Sequence, residues 1–329
     1  MKFLEVIERD GRYVASLSEA PEPRPGPGEV LVRVAASGVN RADLSQIAGH
    51  YPPPPGESPI LGMEISGTVA GTGQPVCALL AGGGHAEAVA VPEGQVFPAP
   101  SAMSLVHAAA IPEAFLTAFV NLVVEGALRE GETLLVHAGA SGVGLAAIAL
   151  GKFLGARVAA TTRTPEKVPE LRQAGADLAI DTSSEDFADA VERHWGASSV
   201  GVVLDPVGAA TLPGDLRLLA TGGRVVFLST MSGSLAELDL RVLMARRARL
   251  IGSMLRSRSR AEKARIVERF EKEILPAFDA GRLRVAIDSV YPPEDAAAAF
   301  TRMRDNRNVG KILLDWESRQ STVNSKAGP

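Results

Sequence analysis

The sequence predicts an α/β protein of two parts, a β-rich domain and a doubly wound parallel sheet. Three observations carry that reading. The chain has 329 residues, and at roughly 150 residues per domain that is enough for two cores. Its first third is punctuated by prolines and short apolar runs, whereas from about Leu116 strand-like and helix-like segments alternate. From Thr133 a buried-strand pattern runs into a glycine-rich turn and an apolar helix, TLLVHAGASGVGLAA. A parallel sheet with right-handed crossovers is the architecture that such alternation demands.

The elements follow in order. Pro21, Pro23, Pro25 and Pro27 stiffen one loop, and Glu29 to Ala35 then alternates as a strand, with Val30, Val32 and Val34 on one face. Pro52 to Pro55 form a second stiff loop directly after His50 and Tyr51, and Gly62–Gly71 and His85–Pro92 read as further β segments. The later strands are Leu134–Ala138, Val158–Thr162, Leu178–Asp181, Gly201–Asp205, Arg224–Leu228 and Leu250–Met254. Between them, Thr164 before Pro165 reads as an N-cap, with Gly175 past the last turn. Ser184 before Glu185 and Asp186 reads as another, closed by Gly196. Ala261 to Trp316 opens with a charged helix and ends in the strand-like KILLD.

Composition excludes several classes. Lys+Arg number 34 and Asp+Glu 38, a net charge of −4, so no basic excess is available to track nucleic-acid phosphates. Hydrophobic residues at 46% and charged residues at 22% exclude disorder as the main state. Cys77 is the single cysteine, which rules out an internal disulfide and a Cys-rich zinc lobe. The opening MKFLEVIERD holds no signal-peptide core. Thr133 to Gly151 is uncharged over a membrane-like length, but Gly139, Gly142 and Gly144 break it, so no span is expected and the protein is placed in the cytoplasm. The polar tail from Ser318 to Pro329 is expected to lack structure.

The glycine turn points to a dinucleotide. Gly139 and Gly144 hold the outer positions of one G-x-G-x-x-G register with Ser141 in the middle, and Gly142, Gly144 and Ala147 fit a second. In either, the backbone of Gly139, Ala140, Ser141, Gly142, Val143 and Gly144 would approach a pyrophosphate at a helix N-terminus. Ser141 either bonds a cofactor phosphate or is simply the smallest tolerated side chain, and the bland reading of the whole turn is a tight βα connection that binds nothing. Downstream, VAATTRTPEK carries no carboxylate at the strand end where an NAD site wants one. Thr162, Arg163 and Lys167 there favour the 2′-phosphate of NADPH, unless both cations are ordinary surface charges.

These segments, with ASGVNRAD (Ala36–Asp43), GHYPPPPG (Gly49–Gly56), ILGMEISG (Ile60–Gly67), IPEAFLTAF (Ile111–Phe119), LRSR (Leu255–Arg258) and NVGKIL (Asn308–Leu313), carry a family resemblance. The chain resembles the zinc-independent quinone oxidoreductase branch of the medium-chain dehydrogenase/reductase superfamily, among the tumour-suppressor-inducible quinone oxidoreductase and zeta-crystallin relatives. The likeness runs from about Val30 to Leu314. It implies a GroES-like β-rich catalytic domain over 1–118 and 266–329, a Rossmann NADP(H)-binding domain over 119–265, and a homodimer with Leu250–Met254 as a candidate pairing strand. Zinc-dependent members carry Cys where Asn40 stands and His where Met63 stands, so no metal is expected.

By the same resemblance Asn40 and Thr117 lie near nicotinamide and substrate, and Tyr51 orients the acceptor oxygen. Against that, Asn40 could merely satisfy loop backbone and Tyr51 merely pack on its prolines. The family supports a phosphate contact for Ser141 and places Lys311 with the cofactor. Thr182 stands where members often carry a tyrosine beside the adenosine phosphate, and Asp181 next to it adds a negative charge. Leu228, Ser229, Met254 and Leu255 follow the fifth and sixth strands, where the nicotinamide half should rest. The expected activity is NADPH-dependent, metal-free reduction of quinones. Its rivals are double-bond reduction in enones, enals or enoyl thioesters and, from another class, a crystallin-like or RNA-binding protein with negligible catalysis. His107, His137 and His194 show no ligand or triad spacing, and the arginines at 246–249 and 256–260 read as solvated helix faces.

Overall fold

The structure is a computed structural model and describes residues 1–9 and 12–317; the tail from Ser318 lies outside the described residues. The chain forms two compact units, Met1–Leu116 with Arg256–Pro329, and Thr117–Leu255. The return to the first unit thus falls at Arg256, ten residues before the position read from the sequence, because the Arg256 side chain and helix 260–273 are built into that unit.

Its first stretch contains strands β1 (Lys2–Arg9), β2 (Arg12–Glu19), β3 (Glu29–Val39), β4 (Glu64–Val69), β5 (Pro75–Leu79), β6 (Ala88–Pro92) and β7 (Val96–Pro98). Helices α1 (Arg41–Ile47), α2 (Leu105–Ala108) and α3 (Pro112–Phe119) accompany them. The second unit alternates β8 (Thr133–Val136), α4 (Gly142–Phe153), β9 (Arg157–Thr162), α5 (Val168–Gln173), β10 (Leu178–Asp181), α6 (Phe187–Trp195) and β11 (Val200–Asp205). It continues through α7 (Leu212–Leu218), β12 (Leu219–Phe227), α8 (Leu240–Arg246) and β13 (Arg249–Gly252). The returning segment adds α9 (Arg260–Glu273), α10 (Pro276–Asp279), β14 (Ile287–Tyr291), α11 (Ala296–Arg304) and β15 (Lys311–Asp315).

In the first unit a seven-stranded sheet runs β14-β15-β3-β4-β5-β7, with β6 also paired to β3. The alternation seen at Val32 and Val34 seats both in the core with Ile65, Phe300 and Trp316. β15 returns antiparallel to β3 with Ile312 opposite Val39. That register brings Lys311 beside Asn40.

The second unit is a parallel sheet in the order β10-β9-β8-β11-β12-β13. Counted from β8 this is 3-2-1-4-5-6, the Rossmann order, and its chain reversal lies between β8 and β11. Leu134, Leu135, Val202 and Val203 are fully buried, as expected of central strands covered on both faces.

Two caps differ from the sequence reading. Asp186, not Ser184, caps α6 by accepting from Asp189 N at 2.9 Å, because Ser184 Oγ donates to Asp181 O instead. Thr164 makes no side-chain cap: Pro165–Lys167 forms a 3₁₀ turn before α5. Thr133 to Gly151 splits into strand, turn and helix as expected. The run long and apolar enough to cross a membrane is Leu105–Glu125, and 78% of its apolar window is buried inside the fold, the mark of a core helix.

Candidate active site

A buried carboxylate lies at the centre of the first unit. Glu64, on β4, is fully buried and pairs with the ammonium of Lys311, which is 4% exposed. Its Oε1 also accepts from Asn40 Nδ2 at 2.9 Å and its Oε2 from the Glu113 amide at 2.8 Å. A Cβ at Gly38 would sit 2.2 Å from Glu64 Oε1, so a side chain there would displace the carboxylate. Lys311 donates further to Val39 O at 3.1 Å and Asn40 Oδ1 at 2.7 Å. Asn40 gives its second amide hydrogen to Gly38 O. Both donors of Asn40 are therefore spent within the network. Lys311, expected at the cofactor, serves this buried pair.

A second buried line runs alongside. Trp316 Nε1 donates to Ser37 Oγ at 2.9 Å, Ser37 Oγ meets His85 Nδ1 at 2.8 Å, and His85 Nε2 faces Asp43 at 3.4 Å. Asp43 accepts from the amides of Asn40 (2.7 Å) and Gly62 (3.2 Å). Ser, His and Asp stand in series, yet all three are at most 1% exposed. No substrate reaches them, and their work is to fix the start of α1.

Tyr51 is half-buried, and its ring faces the Arg256 guanidinium at 4.9 Å. Burial raises its phenol above the usual range, the Glu113 charge adds to that, and Arg256 opposes it. Burial and then Glu64 push the Glu113 carboxyl up to about 7. Asn40 and Tyr51 thus belong to the first unit, where the Pro52–Pro55 loop carries Tyr51. Thr117 belongs to the second, 7% exposed, with its carbonyl accepting from Asn121 Nδ2 at 2.7 Å.

In the second unit all six parallel strands end on one edge, and the glycine turn follows β8 at the switch point. Ala138, not a glycine, takes the left-handed conformation (φ 51°). Gly144 is held so close to the turn that a Cβ would lie 2.5 Å from Ala138 O and 2.6 Å from Gly139 O. Ser141 is the N-cap of α4, its Oγ accepting from Gly144 N at 3.0 Å; Ala140 is buried, and the first-turn amides of Gly142 and Val143 have no intrahelical acceptor. At the end of β9, Thr162 lies opposite Asp181 of β10. The Asp181 carboxylate is turned onto Ser183 N and Oγ, which hold it below the usual range. Thr182 donates to Thr162 O. Of the two cations, Arg163 is exposed and Lys167 is only 8% exposed. Leu228 and Ser229 follow β12; after β13, Met254 is exposed and Leu255 buried.

His137, under the glycine turn, bonds Thr161 Oγ1 at 3.0 Å and Asp215 at 2.8 Å, all three buried. Burial opposes its imidazolium, but Asp215 and Asp205 outweigh it and raise the group. The sequence holds no local sign of this pair, whose members are 78 residues apart. Cys77 is buried and donates to Ala108 O, and burial pushes its thiol up, which makes it inert. The arginine cluster at 256–260 is not the solvated face expected: Arg256 is 5% exposed and Arg260 pairs with Glu29 and Glu57. Among the described residues no group of three or more His, Cys, Asp or Glu could hold a metal. Asn40 and Met63 supply an amide and a thioether, a donor set that does not suit zinc.

Residues 142–275 match the family described as zinc-binding dehydrogenase, and residues 26–101 the alcohol dehydrogenase GroES-like domain. The rat synaptic vesicle membrane protein VAT-1 homolog is 32% identical over 90% of this chain and 78% of its own length. The spectinabilin polyketide synthase system protein NorB of Streptomyces orinoci is 36% identical over 93% of this chain, a region that is 14% of that larger protein. Among solved structures, the quinone oxidoreductase of Thermus thermophilus, determined also in complex with NADPH, has 33% identity and a TM-score of 0.82. That likeness covers 96% of this chain and 100% of the other. A GroES-like unit and a Rossmann unit with these residues define an oxidoreductase. The chain belongs to the medium-chain dehydrogenase/reductase superfamily, in its zinc-independent, quinone oxidoreductase-like branch.

Proposed function

We propose that the protein is an NADPH-dependent reductase of quinones that works without a metal. The observation that carries the cofactor half is the strand edge of the second unit. There the closed turn at Gly139–Gly144 presents helix-start amides to a pyrophosphate, and β9 ends in Thr162 and the exposed Arg163 rather than a carboxylate. The NADPH complex of the Thermus relative supports the same cofactor. When bound, the nicotinamide supplies a hydride.

The chain's own contribution is orientation and charge stabilisation. Arg163 attracts the 2′-phosphate, and the burial of Lys167 leaves Arg163 the better placed of the two for that role. Tyr51 donates a hydrogen bond to the acceptor oxygen as negative charge builds there. Asn40, locked by Glu64 and Lys311, forms a fixed wall of the site. A quinone, or an enone, suits such a site because conjugation spreads the arriving charge and no Lewis acid is needed. Reduction of an activated carbon–carbon double bond is the second reading, because the same placement of nicotinamide and acceptor delivers a hydride to either conjugated system. The assembly in this reading is a homodimer through β13, the sheet edge, near which Leu240 and Met244 are 60% and 68% exposed.

Turnover tests these readings together. With 1,2- and 1,4-naphthoquinone and short enones side by side, quinones should consume NADPH fastest, and far faster enone turnover would sink the quinone assignment. Tyr51→Phe should lower kcat by about a hundredfold; an unchanged kcat would remove Tyr51 as the donor. Arg163→Ala should raise KM for NADPH by about tenfold and leave NADH nearly untouched, whereas an equal loss for both would contradict the 2′-phosphate role. Sedimentation at micromolar protein should give twice the chain mass, and a monomer would exclude the β13 dimer.

A further inference from the structure

Arg256 is a buried cation inside the first unit that makes no direct ion pair. Among the described residues no carboxylate lies within ion-pair distance of it, and it is 5% exposed. Its acceptors are neutral: Nε donates to Ala81 O at 2.7 Å, Nη1 to Tyr51 O at 3.1 Å and Nη2 to Gln46 Oε1 at 2.6 Å. Gln46 lies in the last turn of α1, before the loop that carries Tyr51, and its Nε2 is fixed on Pro59 O at 2.9 Å, beyond that loop. The guanidinium therefore grips both flanks of the Tyr51 loop and covers one face of the ring at 4.9 Å.

Burying a charge that no carboxylate pairs directly is costly, and an apolar side chain would fill the same space at less cost. The arrangement makes sense where the charge acts on something, and two of its four contacts are to Tyr51. A cation over an aromatic face is attracted to the ring electrons, more strongly as the ring gains negative charge.

We propose that Arg256 is a positioning residue for Tyr51, fixing the ring and making its phenol a stronger hydrogen-bond donor to the acceptor oxygen. This rests on Tyr51 being the donor. The charged groups around the pair come from three elements. Glu113 in α3 faces both residues, Asp43 in α1 faces Arg256, and Lys263 in α9 is buried near Arg256 and Glu113. Arg256 works against burial and Glu113, both of which hold the Tyr51 phenol up.

The test reads Tyr51 directly, without cofactor or turnover. The chain has three tyrosines, so the tyrosinate absorbance of the protein minus that of Tyr51→Phe, followed in rapid pH jumps, reports Tyr51 alone. Arg256→Gln should move this ionisation up by about one pH unit. Arg256→Lys, which keeps a charge but not the fork, should move it less and lower kcat by about tenfold with little change in KM. In a Tyr51→Phe background neither substitution should lower kcat further. A folded variant of either kind whose Tyr51 ionises as in the unsubstituted protein overturns the proposal. Should Arg256→Gln fail to fold, Arg256→Lys decides by the same criterion. Full turnover by Tyr51→Phe would instead refute the donor role while leaving the ionisation result standing, so the two failures are separable.

Discussion

The carboxylate of Glu64 is the constraint around which the first unit is arranged. Fully buried, it is tolerable only because every neighbour answers it: Lys311 with a charge, Asn40 with an amide, and the start of α3 with the Glu113 backbone N–H. Those partners sit on β15, at the start of α1 and on α3. One ionised group thus ties together four chain segments that are remote in sequence. Gly38 is part of the arrangement, since any side chain there would displace the carboxylate. The chemistry inherits this rigidity. Asn40 cannot turn, and the negative field of Glu64 helps keep the Glu113 carboxyl up near 7.

The second unit obeys a different rule. Its sheet is parallel throughout, so every strand ends on the same edge and every crossover begins there. A turn that must reverse the chain and start a helix within a few residues leaves amides without acceptors, and that deficit is what a pyrophosphate fills. Ser141 takes one of those amides, that of Gly144, for the helix cap. Beneath, the His137–Asp215 pair fastens the end of β8 to α7.

Much of this was legible in the sequence because it is periodic or local. The six parallel strands were readable as apolar runs on schedule, and the turn as glycines between a strand and a helix. At the start of α6 the sequence offers two good caps, Ser184 and Asp186, and only the fold decides between them, because Asp181 O accepts from Ser184 Oγ. The buried network was not legible, since its partners lie far apart in the chain and ion pairing leaves no period. A signal existed nonetheless: Glu64 and Lys311 each interrupt an otherwise apolar strand, ILGMEISG and NVGKILL, and a charge in such a place needs an opposite one nearby. Arg256 was obscured by its neighbours, because five residues with three arginines look like a solvated surface until the fold turns one of them inward.

The dependence of the first unit on the Glu64–Lys311 pair is open to a double-mutant cycle, with unfolding in urea measured for Glu64→Gln, Lys311→Met and both together. Lys311→Met alone leaves a buried carboxylate uncompensated and should cost about 3–5 kcal/mol. The double substitution should lose less than the sum of the singles by at least about 2 kcal/mol. Strictly additive losses, or a Lys311→Met protein as stable as the unsubstituted one, would contradict the account.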